Sequence, residues 1–175
     1  LKAVQPEDVT HTEIDIRLGS PWVSGSDYAE FFADLMRANA EDFEVHWLEK
    51  TGRWILTLRN DRVKSRVDWS QTYGTNRADF LDIVNAAMTD RPIALYTTDS
   101  EGNRIYLADD SAAANLKVEE VRELFKEWVW RDDERRHRLH RYYNDNFNNV
   151  VETEHDGTWL DFPTMNTLIT PYPHQ

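Results

Sequence analysis

No cysteine occurs in the chain. That excludes disulfides, cysteine-ligated zinc, iron–sulfur clusters and a thiolate nucleophile, and it fits a cytoplasmic protein. Glycine is scarce too, with six in 175 residues, and no pair has the spacing of a Walker loop or a dinucleotide fingerprint. Neither H-E-x-x-H nor G-x-S-x-G is present, so zincin and α/β-hydrolase chemistry have no motif to rest on. No apolar run approaches the ~20 residues that cross a bilayer. The N-terminus is polar and acidic, without a secretory signal. The chain opens on "LKAVQ" rather than methionine and closes on "TPYPHQ"; both ends read as cut from something longer.

What is present is aromatic and acidic. Seven Trp, seven Tyr and seven Phe supply bulky material for one sizeable core. The net charge of −12 disfavours a domain that coats nucleic acid everywhere, because duplex affinity comes largely from neutralising phosphates. The charge is uneven: residues 51–78 and 135–141 each carry +4 between acidic stretches. These islands either balance charge between faces of one fold or form a contact surface.

Periodicity divides the chain into elements. Ile14, Ile16 and Leu18 alternate with Glu13, Asp15 and Arg17, which predicts a short strand or an extended arm. Ser24 or Ser26 caps a helix carrying Tyr28, Phe31, Phe32, Leu35 and Met36 at helical spacing. "DFEVHWL" and "RWILTLR", joined by "EKTG", predict a hairpin. "RVKSRVDW" alternates Val63, Ser65 and Val67 with Lys64, Arg66 and Asp68, which predicts a third strand of an antiparallel meander. Thr75 is expected to cap a helix bearing Phe80, Val84, Ala87 and Met88, with Arg77 at its start. "PIALYTTDSEGNRIYLA" predicts a second, short hairpin. A longer helix is expected from Asp110 or Ser111 to about Trp130, and a last one after Asp132 or Asp133. The expected fold is α+β: a three-stranded antiparallel meander plus a short hairpin, packed with about four helices. Residues 1–150 would form one accessory domain, and 151–175 an extended linker anchored at most by Trp159, Leu160 and Phe162.

Candidate catalytic groups are few. His137 and His140 with Asp133 have helical spacing for metal ligands, but the arginines interleaved among them oppose a cation. The acidic pairs Asp109/Asp110, Glu119/Glu120 and Asp132/Asp133 suit helix starts and outer faces. No catalytic residue and no metal site are assigned. The stronger signal is basic. Arg135, Arg138 and Arg141 recur every three residues on the last helix, and Lys64, Arg66 and Arg77 supply the other island. Arginine clamps phosphate bidentately. Tyr142, Tyr143 and Phe147 follow directly and would either stack bases or complete the core. If that helix face is a DNA contact, binding is weak, non-specific and salt-sensitive, and Arg-to-Gln changes at 135, 138 and 141 abolish it without loss of stability.

The blocks "LKAVQPEDVTHTEIDIRLGSPWV", "TYGTNRADFLDIVNAAM", "FKEWVWRDDERRHRLHRYYNDNFNN" and "HDGTWLDFPTMNTLITPYPHQ" resemble the region just ahead of the helicase core in large phage and mobile-element proteins. Those proteins combine an adenine-specific DNA methyltransferase with a Swi/Snf-type helicase. The resemblance implies a parent that uses ATP, Mg and S-adenosylmethionine, in which Gln175 reads the adenine of ATP. Tyr172 stands where that family usually has a basic residue. The Walker loop, the Mg-binding acids and the methyltransferase motif are absent from this sequence, so the resemblance implies no cofactor and no enzymatic activity for the stretch itself. It would be a non-catalytic accessory domain that positions DNA or couples the helicase and methyltransferase domains of the same chain. The rival expectations are a protein-interaction spacer that docks on neighbouring domains without touching DNA, and an independent enzyme with an unrecognised site.

Overall fold

The structure, a computed structural model, describes residues 6–148. Residues 6–20 form an arm without strand pairing, interrupted by turns that the Glu13 and Ser20 amides close on the Thr10 and Arg17 carbonyls. Ile14, Ile16 and Leu18 are buried while Glu13, Asp15 and Arg17 face solvent, so the alternation is satisfied without ladder hydrogen bonds. Near its end Gly19, at φ +96°, passes so close to the Met88 backbone that an added Cβ would lie 2.1 Å from the Met88 carbonyl oxygen.

Helix α1 (Gly25–Met36) is the centre of the core. Ser24 caps it by accepting from the Asp27 amide, and Tyr28, Phe31, Phe32 and Met36 are fully buried. Each such side chain contributes about 1.5–3 kcal/mol of burial. Strands β1 (Phe43–Leu48) and β2 (Arg53–Leu58) pair antiparallel, with Phe43 opposite Leu58, Val45 opposite Leu56 and Trp47 opposite Trp54. Their turn closes on Gly52, at φ +60°.

The third strand of the expected meander does not form. Its segment instead makes a 3-10 turn over Asp61–Ser65 and a π turn over Asp68–Thr72. Two causes are visible. The outer edge of β2 is already satisfied: the Leu56 amide donates to Asn85 Oδ1 at 2.8 Å, and Asn85 Nδ2 donates to the Leu56 carbonyl. Asn60 also starts the turn by accepting from the Arg62 amide. Val63 and Trp69 are buried, whereas Val67, expected to share a face with Val63, is 65% exposed.

Helix α2 (Phe80–Thr89) is capped reciprocally by Asp79 and Asp82, not by Thr75, whose hydroxyl instead closes a turn by accepting from Ala78. Arg77 therefore lies ahead of the helix rather than in it. Strands β3 (Tyr96–Thr98) and β4 (Arg104–Tyr106) form the second hairpin. Helix α3 (Ala108–Val129) starts a little earlier than expected and packs on α1 and α2 through Val118, Val121, Phe125 and Trp128. Helix α4 (Asp133–Asn146) is capped by Asp132. The arm is strapped to it: Val9 donates to Asn144 Oδ1 at 2.9 Å, and its carbonyl meets His140 Nε2 at 2.8 Å. The result is α+β with two separate two-stranded antiparallel sheets. No helix among the described residues is long and apolar enough to cross a membrane. Trp159, Leu160, Phe162, Gln175 and the rest of the 151–175 segment lie outside the described residues.

Candidate interaction surface on the last helix

The three arginines of α4 have three different surroundings. Arg135 turns inward, with only 11% of its side chain exposed. Its guanidinium lies 3.4 Å from the ring centroid of Trp128 and donates to the Trp128 and Val129 carbonyls, which end α3. Burial lowers its proton affinity below that of ordinary arginine, although Asp132 and Glu30 pull the other way. Arg138 grips Asp27 with both terminal nitrogens. Asp27 is 2% exposed and also accepts from the Ser24 hydroxyl at 2.6 Å. Hydrogen bonding to this carboxylate raises the Arg138 pKa. Arg141 pairs with Asp145 at the surface and is 68% exposed. Arg136, between them, is tied to Asp133 and the Trp130 carbonyl.

The second basic island lies elsewhere. Arg77 pairs with Asp110 in the first turn of α3 at 3.2 Å, and Lys64 pairs with Asp61 at 2.8 Å. Bonding to Asp61 raises the Lys64 pKa. Arg66 has no ion-pair partner among the described residues. Arg77 thus touches α3 at Asp110 and Arg135 touches it at Trp128. Those positions are eighteen residues apart, about 27 Å at 1.5 Å per residue. The two islands do not merge into one phosphate-binding face at these anchor points.

The aromatic residues after the arginines are not wholly in the core. Tyr142 is 46% and Phe147 52% exposed. They gather with Tyr143 around Trp22, whose ring lies 6.4 Å from Tyr142 at an interplanar angle of 11°, 5.6 Å from Tyr143 and 6.2 Å from Phe147. Sequence reasoning picked out the three on the helix and missed Trp22, which is 120 positions from Tyr142. It also missed Asp27, because a buried carboxylate has no sequence signature until its partner is known.

Other concavities offer less chemistry. A cleft of about 540 Å³ lies between the 17–21 loop, the β1–β2 turn and helices α2 and α3. Of the cations that line it, Arg122 is engaged by Glu119, Asp90 and the Ala87 carbonyl, Arg17 by Asp15 and Lys126 by Glu123. His11, Asp133, His137 and His140 line a smaller hollow, but no group of three or more potential ligands among the described residues could hold a metal ion. Every buried side-chain nitrogen and oxygen among the described residues has a partner.

Comparison with known proteins places residues 17–149 in one family, and the chain belongs to it: Domain of unknown function (DUF8437). No curated protein and no solved structure matches.

Proposed function

We propose that this member of DUF8437 is a non-catalytic accessory domain that works by docking, and that its neighbours are the helicase and methyltransferase portions of one large polypeptide. Placement beside those enzymes follows from the resemblance of the four sequence blocks. The preference for docking over DNA positioning rests on one observation: Arg135 and Arg138, the first two candidates for phosphate contact, are spent on Trp128, two backbone carbonyls and the buried Asp27. An arginine that holds two helices together has little freedom to reorganise around a phosphate. The surrounding acidic chain also repels a polyanion. What remains for contact is the exposed aromatic surface, of the residue types that dominate protein interfaces. ATP, Mg and S-adenosylmethionine belong, on this reading, to the neighbouring enzymes.

DNA positioning survives as a second reading because Arg141, 68% exposed and paired with Asp145 at the surface, directly precedes Tyr142 on the same helix. Two titrations separate the readings. Fluorescence anisotropy with duplex and single-stranded oligonucleotides at about 50 mM salt, where phosphate contacts are strong, should show no saturable binding. Calorimetric titration of the domain into the separately purified helicase and methyltransferase portions should show binding to at least one. Oligonucleotide binding that Arg141→Gln abolishes would establish DNA positioning instead. Silence with both enzyme portions would remove the docking reading.

A further inference from the structure

His140, Asn144 and Asn148 follow one another at four-residue intervals along α4 and just past its end. Their hydrogen bonds to the arm all end on backbone atoms. The Val9 amide donates to Asn144 Oδ1 at 2.9 Å, and the Val9 carbonyl accepts from Asn144 Nδ2 at 3.1 Å and from His140 Nε2 at 2.8 Å. The Glu7 carbonyl accepts from Asn148 Nδ2 at 2.8 Å. Glu7 and Asn148 are 141 positions apart, so the polypeptide enters and leaves the domain at one place.

The groups in this contact have second partners. Asn144 Nδ2 also donates to the His140 carbonyl at 3.1 Å, and Asn148 Nδ2 donates to Asn144 Oδ1 at 3.0 Å. His140 Nε2 lies 3.2 Å from Asn144 Nδ2 and can accept from it once the ring proton sits on Nδ1. Opening the contact therefore strands no polar side chain on the helix, although Asn144 is only 6% exposed. On the other side Glu7 is exposed and Val9 half-buried, so their backbone groups reach water on release. Farther along the arm a turn stands on its own bonds. The Thr10 amide and hydroxyl both donate to Glu13 Oε2 at 2.7 Å, and the Glu13 amide donates to the Thr10 carbonyl. Ile14 and Ile16, just beyond, are buried. A few hydrogen bonds set against the ordering of four residues come close to balance.

We propose that His140, Asn144 and Asn148 form a releasable clasp on residues 6–9. Closed, it holds the entry and the exit of the domain side by side. Open, it frees residues 6–9 as far as the Thr10–Glu13 turn, lets entry and exit separate, and leaves the core folded. The clasp concerns this chain alone and stands whether or not the domain docks on a helicase or a methyltransferase.

The test uses the full 175-residue chain, which has no cysteine. Asp8→Cys with Asn146→Cys therefore places one pair of spin labels at the entry and the exit, and hydrogen exchange is read on the unlabelled chain. The label distances should show one short population. The Val9 amide should exchange more slowly than an unprotected amide yet faster than the amides of α1, which marks an opening short of global unfolding. Asn148→Ala should speed Val9 exchange roughly fivefold, the worth of about one hydrogen bond. It should also add a longer population to the label distances and leave α1 exchange unchanged. Val9 exchange as slow as that of α1 would make the contact part of the core and overturn the proposal. Unprotected Val9 exchange, or a broad distance distribution in the parent chain, would mean that the clasp is not closed and overturns it as well. So does an Asn148→Ala chain with unchanged Val9 exchange and unchanged distances. A distance that lengthens with protein concentration, together with a doubled mass in sedimentation, would assign the arm to a second copy and likewise overturns it.

Discussion

Arg138 on α4 closes both arms of its guanidinium on Asp27, which lies buried in the first turn of α1, 111 residues earlier. The pair joins the final described helix to the central one at the only point where α1 buries a carboxylate among the described residues. It also changes what substitution at Arg138 means. On periodicity alone, Arg138→Gln removes surface charge. In the fold it strands an anion that α1 keeps from water.

Arg138→Gln should therefore destabilise the protein by about 2–3 kcal/mol. That is below the 3–5 kcal/mol typical of breaking a fully buried pair, because the arginine side of this one is 53% exposed. Urea denaturation at neutral pH measures it. Asp27→Asn with Arg138→Gln together should cost less than the sum of the two single changes. A fully stable Arg138→Gln protein would mean that Asp27 is solvated.

Arg135 should tolerate lysine poorly. Its plane lies over Trp128 while its fork reaches two carbonyls at the end of α3, a combination that an ammonium cannot reproduce. Arg135→Lys should cost about 1–2 kcal/mol, visible as a lower thermal midpoint, and Arg135→Gln more. Equal stability of the wild type and the lysine variant would remove the stacking argument.

Asn85→Ala should cost about 1–3 kcal/mol, since it leaves the buried Leu56 amide and carbonyl without partners on the outer edge of β2. The local sign is protection loss: the Leu56 amide should exchange with deuterium faster in the variant than the amides of α1 do.

Two glycines separate close approach from backbone conformation. Gly52→Ala meets nothing within 4 Å and carries only the strain of φ +60°, about 1–2 kcal/mol. Gly19→Ala adds a clash at 2.1 Å with the backbone of Met88. The Gly19 variant should melt well below the Gly52 variant. The reverse order would contradict the packing of the arm against α2.

Stability should fall as pH rises above about 10, the ordinary tyrosine pKa. Burial pushes the Tyr28 phenol far above that value, so above pH ~10 the unfolded chain releases a proton that the folded chain keeps. Below it both states are neutral and Tyr28 contributes no pH dependence. Tyr28→Phe should flatten this alkaline limb while costing the hydrogen bonds with Ser20 and Gly19. Denaturation midpoints measured across the alkaline range test the slope.

The helices, both hairpins and most of the core were legible from spacing. Tyr28, Phe31, Phe32 and Met36 recur at helical intervals, and Phe43, Val45 and Trp47 alternate opposite Trp54, Leu56 and Leu58. The third strand failed because alternation in "RVKSRVDW" is a local pattern, whereas pairing needs an open edge, and Asn85 from a helix still to come occupies that edge. Thr75 failed as a cap because Asp79 and Asp82 satisfy the first amides of α2 reciprocally.

By itself, the sequence determined which residues would be helical, which would be apolar on one face, and where positive charge would concentrate, because those depend on neighbours a few positions away. Only the tertiary structure decided what the charges and rings were for. Arg138 became a strut once α1 supplied Asp27, Arg135 a cap once the last turn of α3 offered the Trp128 and Val129 carbonyls, and Tyr142 part of an exposed cluster once Trp22 arrived beside it. A charge or a ring takes its role from the partner that reaches it, and here each partner lies on another segment, from 7 positions away for Trp128 to 120 for Trp22.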